Sequence, residues 1–250
     1  MYPGVHARTT PDKIAVVLAD SDRSLTYREL DDHSAALARV LHDAGLRQGD
    51  VVALLTDNRV EAFEVFWAAL RSGLYITAVN SHLTAGEVAY IVEDSGAKAL
   101  VVSATLGDLA KQVGDTVGAH AARLSFGGAI PGFDSYEDAM AGAGPRLDDE
   151  PSGAIMLYSS GTTGFPKGIQ PPLPDRRVDE PGESLVMVAQ YMFGISDADV
   201  YYSPAPIYHA APLRWGAAVH ALGGTVVLAA KFDPETALRH IEEYSVTAGQ

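Results

Sequence analysis

The chain has no cysteine among its 250 residues. It can therefore form no disulfide and can use no thiolate as a nucleophile or metal ligand, which is typical of proteins in a reducing compartment such as the cytoplasm. Basic side chains are also scarce, since 18 lysines and arginines stand against 32 aspartates and glutamates, a net charge of −14. Nucleic-acid phosphates repel an acidic surface, so the composition argues against a nucleic-acid partner.

Long hydrophobic runs are missing as well. Although 47% of the residues are hydrophobic, no uninterrupted apolar stretch reaches the ~18 residues of a membrane span. The opening residues Met1-Tyr2-Pro3-Gly4 lack the basic and hydrophobic regions of a secretory signal. We therefore expect no transmembrane segment and no secretory leader. The length and apolar content suffice for a large core in one or two domains.

Apolar runs and helix signals alternate along the chain. The runs that predict buried strands cover residues 14–18, 51–55, 76–79, 99–102, 200–203 and 223–228. Between them, capping residues open the predicted helices at Thr26, Asn58, Thr84 and Asp233. Connections are short, and several strands are apolar on both faces. This pattern indicates an α/β fold with mostly parallel sheets layered with helices.

A connector rich in glycine, proline and acidic residues covers positions 142–151. It predicts a boundary near residue 147, with a first α/β subdomain over residues 1–147 and a second α/β portion over residues 148–250. The acidic residues 148–150 are interpreted as a solvated charge run rather than a metal site.

The most informative stretch covers residues 158–168, with the sequence Y-S-S-G-T-T-G-F-P-K-G. The apolar run at 154–158 predicts a buried strand, so the motif is expected to leave the edge of a sheet as a loop. Glycines let backbone N–H groups turn toward an anion, the hydroxyls add neutral donors, and Lys167 adds a positive charge. These features suit a loop that binds a polyphosphate.

An NTPase P-loop and an ordinary surface turn both fit this motif less well. The P-loop requires a second glycine where Pro166 stands and a Ser or Thr where Gly168 stands. Prolines at 171, 172 and 174 also exclude a helix directly after the motif. A surface turn does not need two hydroxyl pairs, three spaced glycines and a lysine together.

The sequence S-S-G-T-T-G-F-P-K-G resembles the phosphate-loop signature of the adenylate-forming superfamily, and we favour its acyl-CoA synthetase and fatty-acid–CoA ligase branch. Residues 10–15 (T-P-D-K-I-A) and 25–30 (L-T-Y-R-E-L) resemble the family's opening. The resemblance covers essentially the whole chain. It implies the fold of the large N-terminal domain of these enzymes.

The resemblance also implies a reaction. ATP would activate a carboxylic acid, and a fatty acid in particular, to an acyl-adenylate, and CoA would then take the acyl group, with Mg²⁺ as cofactor. Lys167 would be the catalytic residue, and Ser159 would also be a candidate Mg²⁺ ligand. The implied ATP-phosphate-binding residues are Ser159, Ser160, Gly161, Thr162, Thr163, Gly164 and Lys167.

A second stretch, S-P-A-P-I-Y-H-A-A-P at residues 203–212, resembles the family's next motif, a turn that lines the acyl pocket. The resemblance implies that His209 and Ala210 contact the acyl group. By itself, a lone histidine in an apolar turn is more often a core residue. Leu213 stands where the family often has a bulky aromatic residue, and Trp215 follows.

The chain departs from the family pattern after the loop, where the proline-rich residues 171–177 replace a continuing strand. Arg176 and Arg177 are interpreted here as solvated. Family members are considerably longer, with residues for adenine, ribose and metal beyond Gln250. We therefore expect an amino-terminal portion that is inactive alone. The alternative is a non-catalytic nucleotide- or acid-binding module.

Overall fold

The structure is a computed structural model that describes residues 2–116, 120–159 and 166–250. A short 3-10 helix covers Ala104–Leu106. The α-helices of the described residues are α1 (Pro3–Thr9), α2 (Tyr27–Asp43), α3 (Glu61–Leu70), α4 (Ala85–Asp94), α5 (Gly107–Thr116), α6 (Tyr136–Ala141), α7 (Ser184–Phe193), α8 (Ala210–Leu222) and α9 (Pro234–Glu243).

The described β-strands are mostly short. They are β1 (Ile14–Leu18), β2 (Ser24–Thr26), β3 (Val51–Leu55), β4 (Tyr75–Val79), β5 (Ala97–Ser103), β6 (Ala122–Phe126), β7 (Asp134–Ser135), β8 (Ala154–Ile155), β9 (Leu157–Ser159), β10 (Lys167–Ile169), β11 (Val200–Ser203), β12 (Thr225–Leu228) and β13 (Ala248–Gly249). The predicted α/β fold with mostly parallel sheets is confirmed.

The chain divides into two compact units. Unit 1 combines Met1–Asp32, Asn58–Glu64 and Asp179–Gln250, and unit 2 combines His33–Asp57 and Val65–Val178. Position 147, where the sequence predicts a boundary, lies inside unit 2.

Unit 1 is built on a five-stranded sheet in the order β13-β11-β12-β1-β2. All neighbours pair in parallel except β2, which is antiparallel to β1. Helix α8 is fixed to this sheet by His220, whose Nε2–H donates to the carbonyl of Ala15 at 3.1 Å. The Phe63 ring lies edge-on to the His220 ring at 4.6 Å. Complete burial lowers the pKa of His220 to about 3, so this side chain is neutral at physiological pH.

Close packing of α8 depends on a glycine. A Cβ added to Gly216 would lie 2.5 Å from the Phe63 ring, so only glycine lets this ring approach the helix. The Tyr27 hydroxyl donates to the Gly224 carbonyl at 2.6 Å just beyond α8. These contacts hold the middle and the carboxyl-terminal end of α8 at defined places on unit 1.

Unit 2 is built on a six-stranded parallel sheet in the order β7-β6-β5-β3-β4-β8. Every residue of β3 is buried, as the apolar run at 51–55 predicts. Strand β8 lies at the sheet edge, and beyond it β9 and β10 pair with each other as a separate antiparallel ladder.

The acidic connector is held by unit 2. The Nε of the buried Arg71 donates to Glu150 at 2.7 Å, and its Nη1 donates to the Ser34 hydroxyl at 2.8 Å. Asp149 forms an ion pair with Arg177 at 2.6 Å. The interpretation as a solvated run is therefore wrong for Glu150, whose side chain is 13% exposed beside the buried Arg71. Asp149 and Arg177 form their ion pair at the exposed surface, with side chains 77% and 44% exposed, as the sequence interpretation expects.

Two further expectations need correction. The predicted buried strand at 154–158 is broken at Met156, the one buried residue of this run. The chain pairs with β4 through β8 and then turns to pair with β10, which leaves Tyr158 half-buried. Asn58 does not cap α3, because its side chain bonds to three backbone groups elsewhere in unit 1.

The other capping signals are confirmed. Thr26 and Glu29 exchange the two bonds of a capping box, as do Thr84 and Glu87. The Asp233 side chain accepts from the backbone of Thr236 at 2.9 Å. Across the described ranges, none of the helices combines the length and the apolar character needed to cross a membrane.

Candidate functional site

The two ends of the predicted phosphate loop face each other in unit 2. Ser159 ends β9, Lys167 begins β10, and the two residues are direct partners in the antiparallel ladder. Both side chains are exposed. The ladder therefore brings a hydroxyl and an ammonium group to the same place. The remaining predicted phosphate-binding residues, Ser160, Gly161, Thr162, Thr163 and Gly164, lie outside the described residues.

Helix α4 holds both ends of this loop. The Tyr158 hydroxyl donates to Asp94 Oδ2 at 2.7 Å on one side. On the other side the Tyr90 hydroxyl is 3.3 Å from the carbonyl of Pro166. Burial first, and then the bond to Asp94, raises the pKa of Tyr158, which keeps the phenol protonated as the donor. Tyr90 and Asp94 were not predicted from the sequence as residues of this site.

A close contact fixes the second strand of the ladder. A Cβ added to Gly168 would lie 2.6 Å from Met156 Cε and 3.0 Å from the Tyr158 ring. Gly168 is paired with Tyr158 in the ladder, so the absence of a side chain lets the tyrosine ring cover this strand. Lys167 is thereby placed directly beside a tightly packed position.

His209 lies in unit 1 at the start of α8. Its backbone is extended, with φ −72° and ψ 147°, and its side chain makes no capping bond. The ring is exposed and lies 4.4 Å from the Tyr208 ring between centroids. His209 is therefore not a core histidine, unlike the buried His220 and His240. Ala210, the other predicted acyl-pocket residue, is the half-buried first residue of α8.

The aromatic residue beyond His209 has partners of its own. The Trp215 ring stacks on the Tyr201 ring at 6.4 Å and meets the Phe193 ring edge-on at 5.4 Å. Leu213 is buried at 1% exposure. The first turn of α8 after His209 therefore places the buried Leu213 in the core, and the indole of Trp215, two residues further on, is partly exposed.

The described ends of the loop provide a hydroxyl oxygen and a lysine ammonium group, but the described residues contain no cluster of metal-ligating side chains. Within residues 2–116, 120–159 and 166–250, no group of three or more His, Cys, Asp or Glu side chains is arranged to hold a metal ion. The exposed Ser159 hydroxyl is an oxygen ligand of the kind that Mg²⁺ accepts together with phosphate oxygens and waters. The arrangement at Ser159 and Lys167 is thus suited to a metal–polyphosphate complex.

Comparison with known proteins agrees with this arrangement. A family model described as AMP-binding enzyme matches residues 5–249. The chain therefore belongs to the AMP-binding enzyme family, and its fold is that of the N-terminal domain of adenylate-forming enzymes.

Individual relatives support the same placement. The 2-succinylbenzoate–CoA ligase of Geobacillus kaustophilus is 31% identical over 241 residues, which are 95% of this chain and 44% of that protein. Long-chain fatty acid transport protein 2 of Rattus norvegicus is 30% identical over 261 residues, covering 98% of this chain and 40% of that protein. The chain thus spans less than half the length of these curated relatives.

Among solved structures, one crystal structure is of a Rhodopseudomonas palustris protein assigned as a long-chain-fatty-acid CoA ligase. It superposes with a TM-score of 0.80 at 25% identity, over 99% of this chain and 61% of that one.

Proposed function

We propose that the protein containing this chain activates a carboxylic acid with ATP and transfers the acyl group to CoA. The observation that carries the proposal is the ladder that pairs Ser159 with Lys167 at the two ends of the signature loop. Membership of the AMP-binding enzyme family and similarity to a CoA ligase support the same chemistry.

In the first step a carboxylate oxygen of the acid attacks the α-phosphorus of ATP. The new bond joins that oxygen to phosphorus, and the bond from phosphorus to the pyrophosphate oxygen breaks. Positioning and charge neutralisation carry most of the catalysis in such displacements. Lys167 donates a charge-assisted bond to the phosphates, and the Ser159 hydroxyl lies on the same side of the ladder ends.

Magnesium fits this site through its oxygen chemistry. When bound to the phosphates it supplies positive charge that stabilises the departing pyrophosphate. Ser159 is the described residue that would add a protein oxygen to its ligands.

In the second step the thiol sulfur of CoA attacks the carbonyl carbon of the acyl-adenylate. A thioester bond forms, the bond from the carbonyl carbon to the AMP oxygen breaks, and the thiol proton passes to solvent or a base. His209 and Ala210 contribute to the acyl pocket in this proposal. We favour a fatty acid as the substrate, because the names of one relative and of one similar structure refer to long-chain fatty acids.

Pyrophosphate exchange tests this proposal. The protein is mixed with ATP, Mg²⁺, labelled pyrophosphate and a panel of fatty, aromatic and short-chain acids. Label should enter ATP only when a suitable acid is present, because exchange requires the reversible formation of the adenylate. Exchange that is absent with every acid, or independent of acid, contradicts the proposal.

A further inference from the structure

Asn58 is a buried amide in unit 1 whose hydrogen bonds all go to distant backbone groups. The side chain follows β3 and the residue is 6% exposed. Its Nδ2 donates to the carbonyls of Ala229 at 2.7 Å and Ala205 at 3.1 Å. Its Oδ1 accepts from the backbone N–H of Ile207 at 2.7 Å. Both N–H groups and the carbonyl oxygen of one amide are therefore in use.

These three bonds join two loops that leave the same edge of the five-stranded sheet. Ala205 and Ile207 follow β11, Ala229 follows β12, and β11 and β12 are parallel neighbours. Only a side chain with two donors and one acceptor at this reach satisfies all three backbone groups, and buried groups left unpaired are costly. The amide therefore fixes the path of the chain after β11.

That path leads directly to His209. The backbone N–H of His209 donates to the Pro206 carbonyl at 3.1 Å, which closes a turn between the residues that Asn58 holds and the start of α8. The exposed His209 side chain makes no capping bond of its own. Its position therefore follows from the anchored segment and from α8.

We propose that Asn58 is a positioning residue that holds the turn before His209 and thereby sets which acids the acyl pocket accepts. The part that concerns acids rests on the proposed function. The part that concerns the turn rests on the three bonds alone, so the two parts are tested by separate measurements.

The first measurement follows the histidine ring by NMR in the protein that contains this chain. The Cε1–H signal of His209 is assigned by its loss in His209→Gln and compared in wild type and in Asn58→Ser. The signal should shift in Asn58→Ser, while the buried His240 signal stays in place. Asn58→Ala extends the comparison, and the milder serine variant gives the result if the alanine variant does not fold. An unmoved His209 signal in a folded Asn58→Ser protein overturns the proposal.

The second measurement separates positioning from loss of stability. In Asn58→Ser, KM for the preferred acid should rise about 10- to 100-fold, while KM for ATP stays constant. His209→Ala should change the order of preference among acids in the same way. The double variant should show no further change, because Asn58 and His209 act on the same turn. Val226→Ala, which removes buried atoms from β12 of the same sheet, should lower Tm and leave the acid order unchanged.

The outcomes are distinct. Equal rises in both KM values, or additive effects in the double variant, overturn the selectivity role of Asn58. A wild-type protein that activates no acid overturns the proposed function and with it that role, while a shifted His209 signal still supports the positioning of the turn.

Discussion

Lys167 and Ser159 are direct partners across the two-stranded antiparallel ladder of unit 2. The two residues flank the predicted phosphate loop. Three residues of β9 pair with three of β10, and this register determines where the Lys167 ammonium group lies relative to the Ser159 hydroxyl. Helix α4 stabilises this register through two hydrogen bonds. Asp94 accepts one from the Tyr158 hydroxyl, and the Tyr90 hydroxyl donates the other to the Pro166 carbonyl.

Replacing Lys167 by alanine should lower the rate of adenylate formation about 10- to 100-fold with little change in Tm. A charge-assisted bond to phosphate contributes about 1.5–3 kcal/mol, whereas the exposed lysine contributes little to packing. Pyrophosphate exchange and a thermal melt measure the two effects. The matched control is Lys111→Ala, an exposed lysine on α5. An unchanged exchange rate in a stable Lys167→Ala protein removes this residue from the mechanism.

Removing the Tyr158 hydroxyl should weaken the binding of ATP without unfolding unit 2. Tyr158→Phe deletes the bond to Asp94, and a hydrogen bond of about 1 kcal/mol corresponds to a rise of about fivefold in KM for ATP. Tyr191→Phe is the control, because that side chain is 76% exposed on α7. Steady-state kinetics with ATP as the varied substrate decide the point. Equal KM values for wild type and Tyr158→Phe show that α4 does not position the loop.

The buried His220 should make stability depend on pH. In the unfolded chain a histidine takes up a proton as the pH falls through about 6.5, but in the folded protein burial lowers the pKa of His220 to about 3. The unfolded state therefore binds more protons below pH 6.5, and the free energy of unfolding falls as the pH falls through this window. By pH 5.5 this residue accounts for a loss of about 1.4 kcal/mol.

Urea unfolding at pH 7.5 and 5.5 measures this loss. His220→Gln removes the titrating group and should flatten the dependence by about that amount, whatever its own effect on stability. Val226→Ala, which removes buried atoms but no titrating group, should lower the stability at both pH values and leave the pH dependence as it is in wild type. The same slope in wild type and His220→Gln would show that His220 does not titrate as burial requires.

The features that could be predicted from the sequence are those determined by residues close together in the chain. The apolar run of β3 and the capping boxes at Thr26 and Thr84 depend on residues close together in the chain, and the structure has all three. The β9–β10 ladder was missed because K-G-I is exposed and carries no apolar alternation.

Other features depend on partners far along the chain. Asn58 has the residue type of a helix cap, yet its partners lie 147, 149 and 171 residues away. Arg71 holds Glu150 across 79 residues, which draws the predicted connector into unit 2. Tertiary contacts overrode the local preference in both cases. The placement of His209 at the start of α8 became visible only in the structure.

The 250 residues by themselves should form no acyl-adenylate. The chain spans 44% of a related CoA ligase, and adenylation requires the acid, the α-phosphate and the metal to be held together in near-attack geometry. Pyrophosphate release from the purified chain with ATP, Mg²⁺ and fatty acids is the assay. Turnover of about 1 per second or faster would show that these residues contain a complete site.

The path of one oxygen atom tests the central claim most directly. The protein that contains this chain is given an acid whose carboxylate oxygens carry heavy oxygen, together with ATP, Mg²⁺ and CoA, and the AMP product is analysed by mass spectrometry. Attack of the carboxylate on the α-phosphorus, followed by attack of the thiol on the carbonyl carbon, leaves one labelled oxygen in AMP. The account predicts AMP with a single heavy oxygen and an acyl-CoA thioester. Unlabelled AMP, or ADP and phosphate in place of AMP and pyrophosphate, would contradict it.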